Sequence, residues 1–157
     1  MIHEEVSAFA NTIQPNHSLI GLDLGTKTIG VAVSDTILSV ATPIKTIRRK
    51  KFSTDSELLL GLISNKNCCG VIIGLPKNMD GSEGPRAQST RAFARNFSVK
   101  TNLPITYWDE RLSTVAAEKA LLEADITRKR RAEVIDHVAA AYILQGFLDR
   151  LKVLNKC

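Results

Sequence analysis

LIGLDLGTKTIGVAVSD, residues 19–35, decides how the rest of the chain is read. Two apolar runs flank a short Gly-Thr-Lys-Thr segment, which reads as two strands around a tight turn at residues 25–28. In the second run Ile29, Val31 and Val33 alternate with Gly30, Ala32 and Ser34, the period of a pleated strand. Asp23 sits inside the first run. A carboxylate buried among Leu and Ile is costly unless a metal ion, a cation or backbone donors offset it. Two more acidic residues stand at the end or edge of apolar elements: Glu110, near the end of PITYWDER, and Asp136, in VIDHVAAAYIL. Three such carboxylates are what a Mg²⁺ site for phosphodiester chemistry requires.

Outward from this stretch, residues 38–47 read as a third strand, and Pro43 within it marks a sheet edge because proline donates no ladder hydrogen bond. Short turns between the three strands imply antiparallel pairing. Thr54 and Glu57 have capping-box spacing and predict a helix to about residue 65. Residues 69–75 are a short Val/Ile-rich run, as expected of a buried strand. A polar, Gly-rich loop at 76–85 leads into a helix with Pro85 in its first turn. Residues 104–108 read as a fifth strand. Ser113 or Thr114 then caps a helix through about residue 123, and a last helix covers roughly 132–152.

This order predicts an α/β domain with a mixed five-stranded sheet, three antiparallel strands plus two parallel, and helices on both faces. Right-handed crossovers put the fourth and fifth strands beside the first, which becomes central. Asp23 then lies at the strand-end edge where α/β sheets usually bind ligands. Residues 1–17 close at Pro15 and Asn16 and read as an N-terminal extension ahead of one domain, 18–157.

The 157 residues favour a single domain, and 44% hydrophobic with 24% charged residues is the balance of a soluble globular protein. Twenty-one Lys and Arg against 16 Asp and Glu leave +5, and eight of those cations fall in residues 48–51 and 128–131. Such clustering favours a polyanion partner, although each run alone also reads as a solvated loop. Residues 48–51 follow the edge strand and are expected farther from the carboxylates, at the opposite end of the sheet. Three cysteines without disulfide or zinc spacing point to a reducing, cytoplasmic setting. The first residues carry Glu4 and Glu5 and lack the apolar stretch of a signal peptide, and no run reaches a membrane span.

On a helical period Asp136 shares a face with Ala139, Ala140, Ile143 and Phe147. It therefore points along an apolar stripe, yet it equally suits a helix-start residue stabilising its own dipole. Only one of Asp109 and Glu110 can face a site if the strand persists, the other being free to pair with Arg111. His137, about 100° round the helix from Asp136, is read as a supporting or surface group. The loop after the fourth strand lacks a Gly-Lys-Ser/Thr ending. Lys77, Asn78 and Arg86 within and after it are placed to hold a sugar-phosphate backbone on the Asp23 edge.

Four segments, GLDLGTKTIGVAVSD, IIGLPKNMDGSEGPRA, WDERLSTVAAEKAL and VIDHVAAAYIL, together resemble the YqgF/RuvX family across about residues 18–151. The resemblance implies a ribonuclease-H-like fold, a Holliday-junction-resolvase-like nuclease, and a part in processing the 5′ end of small-subunit rRNA precursor. Carried over by position, it makes Asp23, Glu110 and Asp136 the acidic, metal-binding triad and places Lys27 and Arg111 near the site. The residue three after Asp136 is Ala139, so the last helix offers one carboxylate fewer than in true junction resolvases.

The combined expectation is a Mg²⁺- or Mn²⁺-dependent endonuclease acting on structured RNA, in 5′-end processing of precursor 16S rRNA. Arg128, Lys129, Arg130 and Arg131 would contact phosphates flanking the cut. The alternatives are a resolvase-like endonuclease on branched DNA and a catalytically weak RNA-binding assembly factor. A nucleotide-hydrolysing actin-like protein, suggested by GLDLGTK, needs two such lobes. Monomer and homodimer both remain open.

Overall fold

The structure, a computed structural model, describes residues 1–112 and 128–155, with side chains described for 1–112 and 137–155. Its elements are β1 (Ile2–His3), α1 (Val6–Ala10), β2 (Ser18–Leu24), β3 (Thr28–Ser34), β4 (Ala41–Arg48), α2 (Phe52–Asn65), β5 (Cys68–Leu75), α3 (Pro85–Lys100), β6 (Ile105–Asp109) and α4 (Arg128–Asn155). A 3₁₀ turn, Glu110–Leu112, follows β6. The helix expected to start at Ser113 or Thr114 lies outside the described residues.

The sheet order is β1-β6-β5-β2-β3-β4. β2, β3 and β4 pair antiparallel, whereas β5 runs parallel to β2 and β6 parallel to β5. The first strand of the opening stretch is therefore central, as its continuous apolar pattern requires. β4 forms one edge, and its Pro43 sits opposite Ala32 beside a register shift, where a missing donor is tolerated.

The sheet has six strands rather than five. Ile2 and His3 pair parallel with Ile105 and Thr106, a two-residue strand too short to carry a periodic signal. Phe9 of α1 is fully buried against Phe147, their rings meeting edge to face at 5.4 Å. Burying such a side chain contributes about 1.5–3 kcal/mol. Arg91 also pairs with Glu4 at 2.6 Å, so the first residues are fastened to the 18–157 body at several points.

Helix α2 begins at Phe52, two residues before the expected Thr54 cap. Phe52 packs edge to face on Phe93, and buried Asp55 accepts the Lys50 N–H. That aromatic anchor and backbone bond set the start in place of a capping box.

Two apolar layers enclose the sheet. On one face Ile20, Leu22, Val31, Val71 and Ile73 pack under α2 and α3 with Leu59, Phe93 and Phe97. On the other, Leu19, Ala32, Ile72 and Trp108 meet α4 through Ala139, Ala140, Ile143 and Phe147. No helix among the described residues is long and apolar enough to cross a membrane.

Candidate active site

Leu19 and Gly21 of β2 face α4, so strand alternation turns Asp23 to that side as well. Asp23 is 5% exposed and pairs across the ladder with Gly30, whose partner on β4 is Thr46. On its other side, the last paired residues of β2 and β5 are Leu22 and Ile73. The next step along both strands sets Asp23 beside Gly74.

Gly74 is bare for a reason. A Cβ there would crowd Ile143 of α4 and stand 2.9 Å from Glu110 Oε1. The Glu110 carboxylate therefore reaches back from the 3₁₀ turn over β5, onto the α4 side. Asp23 and Glu110 flank Gly74 on one face, at the carboxyl ends of β2 and β6, the two parallel neighbours of β5. A side chain at position 74 would push the Glu110 carboxylate aside, and two carboxylates on one face fit a divalent cation, which prefers carboxylate oxygens.

Asp109, one residue earlier, has a different task. It accepts hydrogen bonds from the Arg111 guanidinium at 2.7 and 3.1 Å and from the Arg111 backbone N–H. The guanidinium beside it holds the Asp109 carboxyl below its ordinary value, against a smaller opposing effect of burial. Arg111 also donates to the Met79 carbonyl, tying the 76–84 loop to the end of β6. The two neighbouring acids thus separate, one into an ion pair and one toward Gly74.

Helix α4 carries the third candidate carboxylate, Asp136. Leu144 and the Ala140 carbonyl close on Gly21, where a Cβ would stand 2.8 Å from Leu144 Cβ. His137 Nδ1 lies 2.9 Å from Thr46 Oγ1, which anchors that turn at the sheet level of Asp23. Asp136 is the residue before His137, on the same helix, and its side chain lies outside the described residues. So do the side chains of Arg128, Lys129, Arg130 and Arg131. Among the described residues no group of three His, Cys, Asp or Glu forms a metal cluster.

The other cationic and polar positions divide. Lys27 is exposed in the β2–β3 turn, and its carbonyl accepts the Arg49 N–H. Lys77 is half-buried just past β5. Asn78 donates to Ser82 Oγ at 3.0 Å within the loop. Arg86, exposed at the start of α3, donates to the Leu24 carbonyl at 3.2 Å.

Residues 48–51 are not at the far end of the sheet. Arg48 pairs with Thr28, and Arg49 Nη1 donates to the Gly25 carbonyl at 2.6 Å. β4 runs antiparallel to β3, so its last residues return beside the turn that follows Asp23. Two consecutive short turns in the sequence contained that signal.

Neither buried cysteine stands near these groups. Cys68 opens β5 at the opposite end, and burial pushes its thiol up to about 12, far from a nucleophilic thiolate at neutral pH.

A family model described as "RuvX: Holliday junction resolvase" matches residues 17–150. A Ruegeria pomeroyi protein named "Putative pre-16S rRNA nuclease" is 68% identical over 98% of this chain and 100% of its own length. A Roseobacter denitrificans relative with the same name is 64% identical over 99% of this chain and 96% of its own. Among solved structures, RuvC of T. thermophilus in complex with Holliday junction substrate superposes with a TM-score of 0.55 at 11% identity, covering 87% of this chain and 96% of that one. That likeness identifies the fold, ribonuclease-H-like with a sixth strand added at the edge. By fold and by sequence together, the chain belongs to the RuvX family.

Proposed function

We propose that this chain is a metal-dependent endonuclease that cuts structured RNA at the 5′ end of precursor 16S rRNA in the cytoplasm. Its family membership makes it a hydrolase of phosphodiester bonds. The observation that carries the reading is the pair Asp23 and Glu110 on either side of Gly74.

Asp23, Glu110 and Asp136 would hold Mg²⁺ or Mn²⁺, which when bound activates water and neutralises charge on the phosphate. Asp23 is the rigid member, fixed in a strand that is hydrogen-bonded on both sides. Glu110 comes from a short turn, stapled in place because Arg111 engages both Asp109 and the Met79 carbonyl. Asp136 would join them from the helix turn that His137 fixes to Thr46. Lys27, Lys77, Asn78, Arg86 and Arg111 would position the sugar-phosphate chain across the strand ends, with residues 128–131 on its flank.

The description of the matching family model favours branched DNA as a second substrate, on which a dimer would cut symmetric strands. Both readings are tested by offering precursor 16S rRNA and a four-way DNA junction to the protein with Mg²⁺ or Mn²⁺, beside Asp23→Asn. Metal-dependent cutting of the precursor that the variant lacks supports the RNA reading. Cutting of the junction alone transfers it to DNA. Equal cutting by the variant removes Asp23 from the chemistry.

A further inference from the structure

On the other side of the β2–β3 turn from Asp23 lies a cleft of about 240 Å³, lined by Leu24, Gly25, Thr26, Arg49, Pro85, Arg86, Ser89 and Thr90. It holds two guanidinium groups and three hydroxyls, and no carboxylate. The two arginines come from different elements. Arg49 follows β4, and Arg86 opens α3. Each is tied to one end of the same turn, Arg49 to the Gly25 carbonyl and Arg86 to the Leu24 carbonyl.

These bonds fix the guanidinium planes and leave capacity, since each group carries five N–H donors. Among the described residues neither arginine forms an ion pair, whereas Arg91 and Arg111 both do. Arg49 is also held from behind by the Phe93 ring, 5.8 Å from its centroid. Thr90 Oγ1 donates its proton to the Arg86 carbonyl, so of the three hydroxyls those of Thr26 and Ser89 are the ones placed to donate into the cleft. Rigid, forked donors converging from two sides onto an acid-free hollow suit a tetrahedral oxyanion.

We propose that this cleft is a second phosphate site, which seats a backbone phosphate next to the one that is cut. The inference rests on the nuclease reading and extends it. Asp23 and Gly25 are two residues apart, roughly 7 Å along an extended strand, the order of one nucleotide step. The carboxylates occupy the α4 side of β2 and the cleft occupies the α3 side. A strand laid across the end of β2 therefore meets both. The site fixes the register of the substrate, while the carboxylates supply the chemistry.

The test measures binding apart from cutting. A fluorescein-labelled RNA hairpin with single-stranded flanks is titrated without divalent metal, over a range of salt, against the full chain. Arg86→Ala should weaken binding about tenfold and lower the slope of log affinity against log salt by about 0.7–0.9, one phosphate contact. Ser89→Asp, at an exposed helix position that does not threaten folding, should weaken binding by a similar factor by placing a carboxylate in the cleft. Lys100→Ala, at the far end of the same helix, should change affinity less than twofold. Arg86→Lys should restore the slope and only part of the affinity.

If Arg86→Ala and Ser89→Asp bind like the parent, the phosphate site is overturned and the nuclease reading stands. A loss with Lys100→Ala as large as with Ser89→Asp also overturns it, because bulk charge then explains the effect. If Asp23→Asn cuts like the parent while Arg86→Ala still lowers the salt slope, the catalytic reading fails and the phosphate site survives.

Discussion

Toward α2 and α3, strands β2 and β5 present Ile20, Leu22, Leu24, Val71, Ile73 and Leu75. Toward α4 the same strands present Leu19, Gly21 and Asp23, then Gly70, Ile72 and Gly74. The first face is filled with branched side chains that pack under the two helices. The second gives up volume at Gly21 and Gly74, so that a helix backbone and a carboxylate come close to the sheet. One strand thus packs a core on one side and, in the proposed reading, holds a catalytic carboxylate on the other, and adjacent residues should fail in opposite ways when changed.

The largest expected effect separates neighbours on the two faces. Asp23→Asn should lower cleavage at least a thousandfold, about 4 kcal/mol of barrier. Removing one charge from a like-charged cluster relieves repulsion, so melting without metal should occur at the same temperature or higher. A large fall in melting temperature would make Asp23 a structural ion-pair partner and break the comparison. Leu22→Ala, one residue back and 1% exposed, should do the reverse. Its cavity costs about 2–5 kcal/mol in urea unfolding, with cleavage per folded molecule retained. Preserved stability in that variant would mean the α2/α3 face is not a close-packed core.

Gly74→Ala lies between these cases. The added methyl meets fully buried Ile143 and the Glu110 carboxylate, so unfolding should lose about 1–3 kcal/mol. Turning Glu110 aside should cost cleavage about tenfold, a split opposite to that of Leu22→Ala. Unchanged cleavage would remove Glu110 from the site.

The smallest effect lies beside Glu110. Asp109 is held below its ordinary value by Arg111. A depressed native value contributes stability above the ordinary carboxylate range, and that contribution is lost as pH falls through the native value. The melting-temperature gap between the parent and Asp109→Asn should therefore be full near neutral pH and close in acid. A gap that stays constant with pH would show that the ion pair does not stabilise this corner.

Much of this arrangement is legible in the sequence, and each miss has a cause. Alternation in residues 28–34 gave β3 its bounds, and a charged residue in an apolar strand pointed to Asp23. The face shared by Ala139, Ala140, Ile143 and Phe147 follows from helical period alone, and all four are buried. Ile2–His3 escaped because two residues have no period. Helix α2 starts before its capping pattern predicts because that local signal competes with a distant aromatic contact, Phe52 on Phe93. Residues 48–51 lie at the opposite end from the expectation because the antiparallel return of β4 brings them back beside the β2–β3 turn.

By itself, the sequence determined the α/β class, the central place of residues 18–24 and the oddity of its carboxylates, because these depend on composition and on periods of two and 3.6. Only the tertiary structure decided between Asp109 and Glu110, since strand alternation says that the two diverge and not which one turns inward. Arg111 captures Asp109, and bare Gly74 admits Glu110. Both partners are fixed by contacts between separate elements, Gly74 by strand register and Arg111 by its hold on the Met79 carbonyl. Such contacts have no local sequence signature.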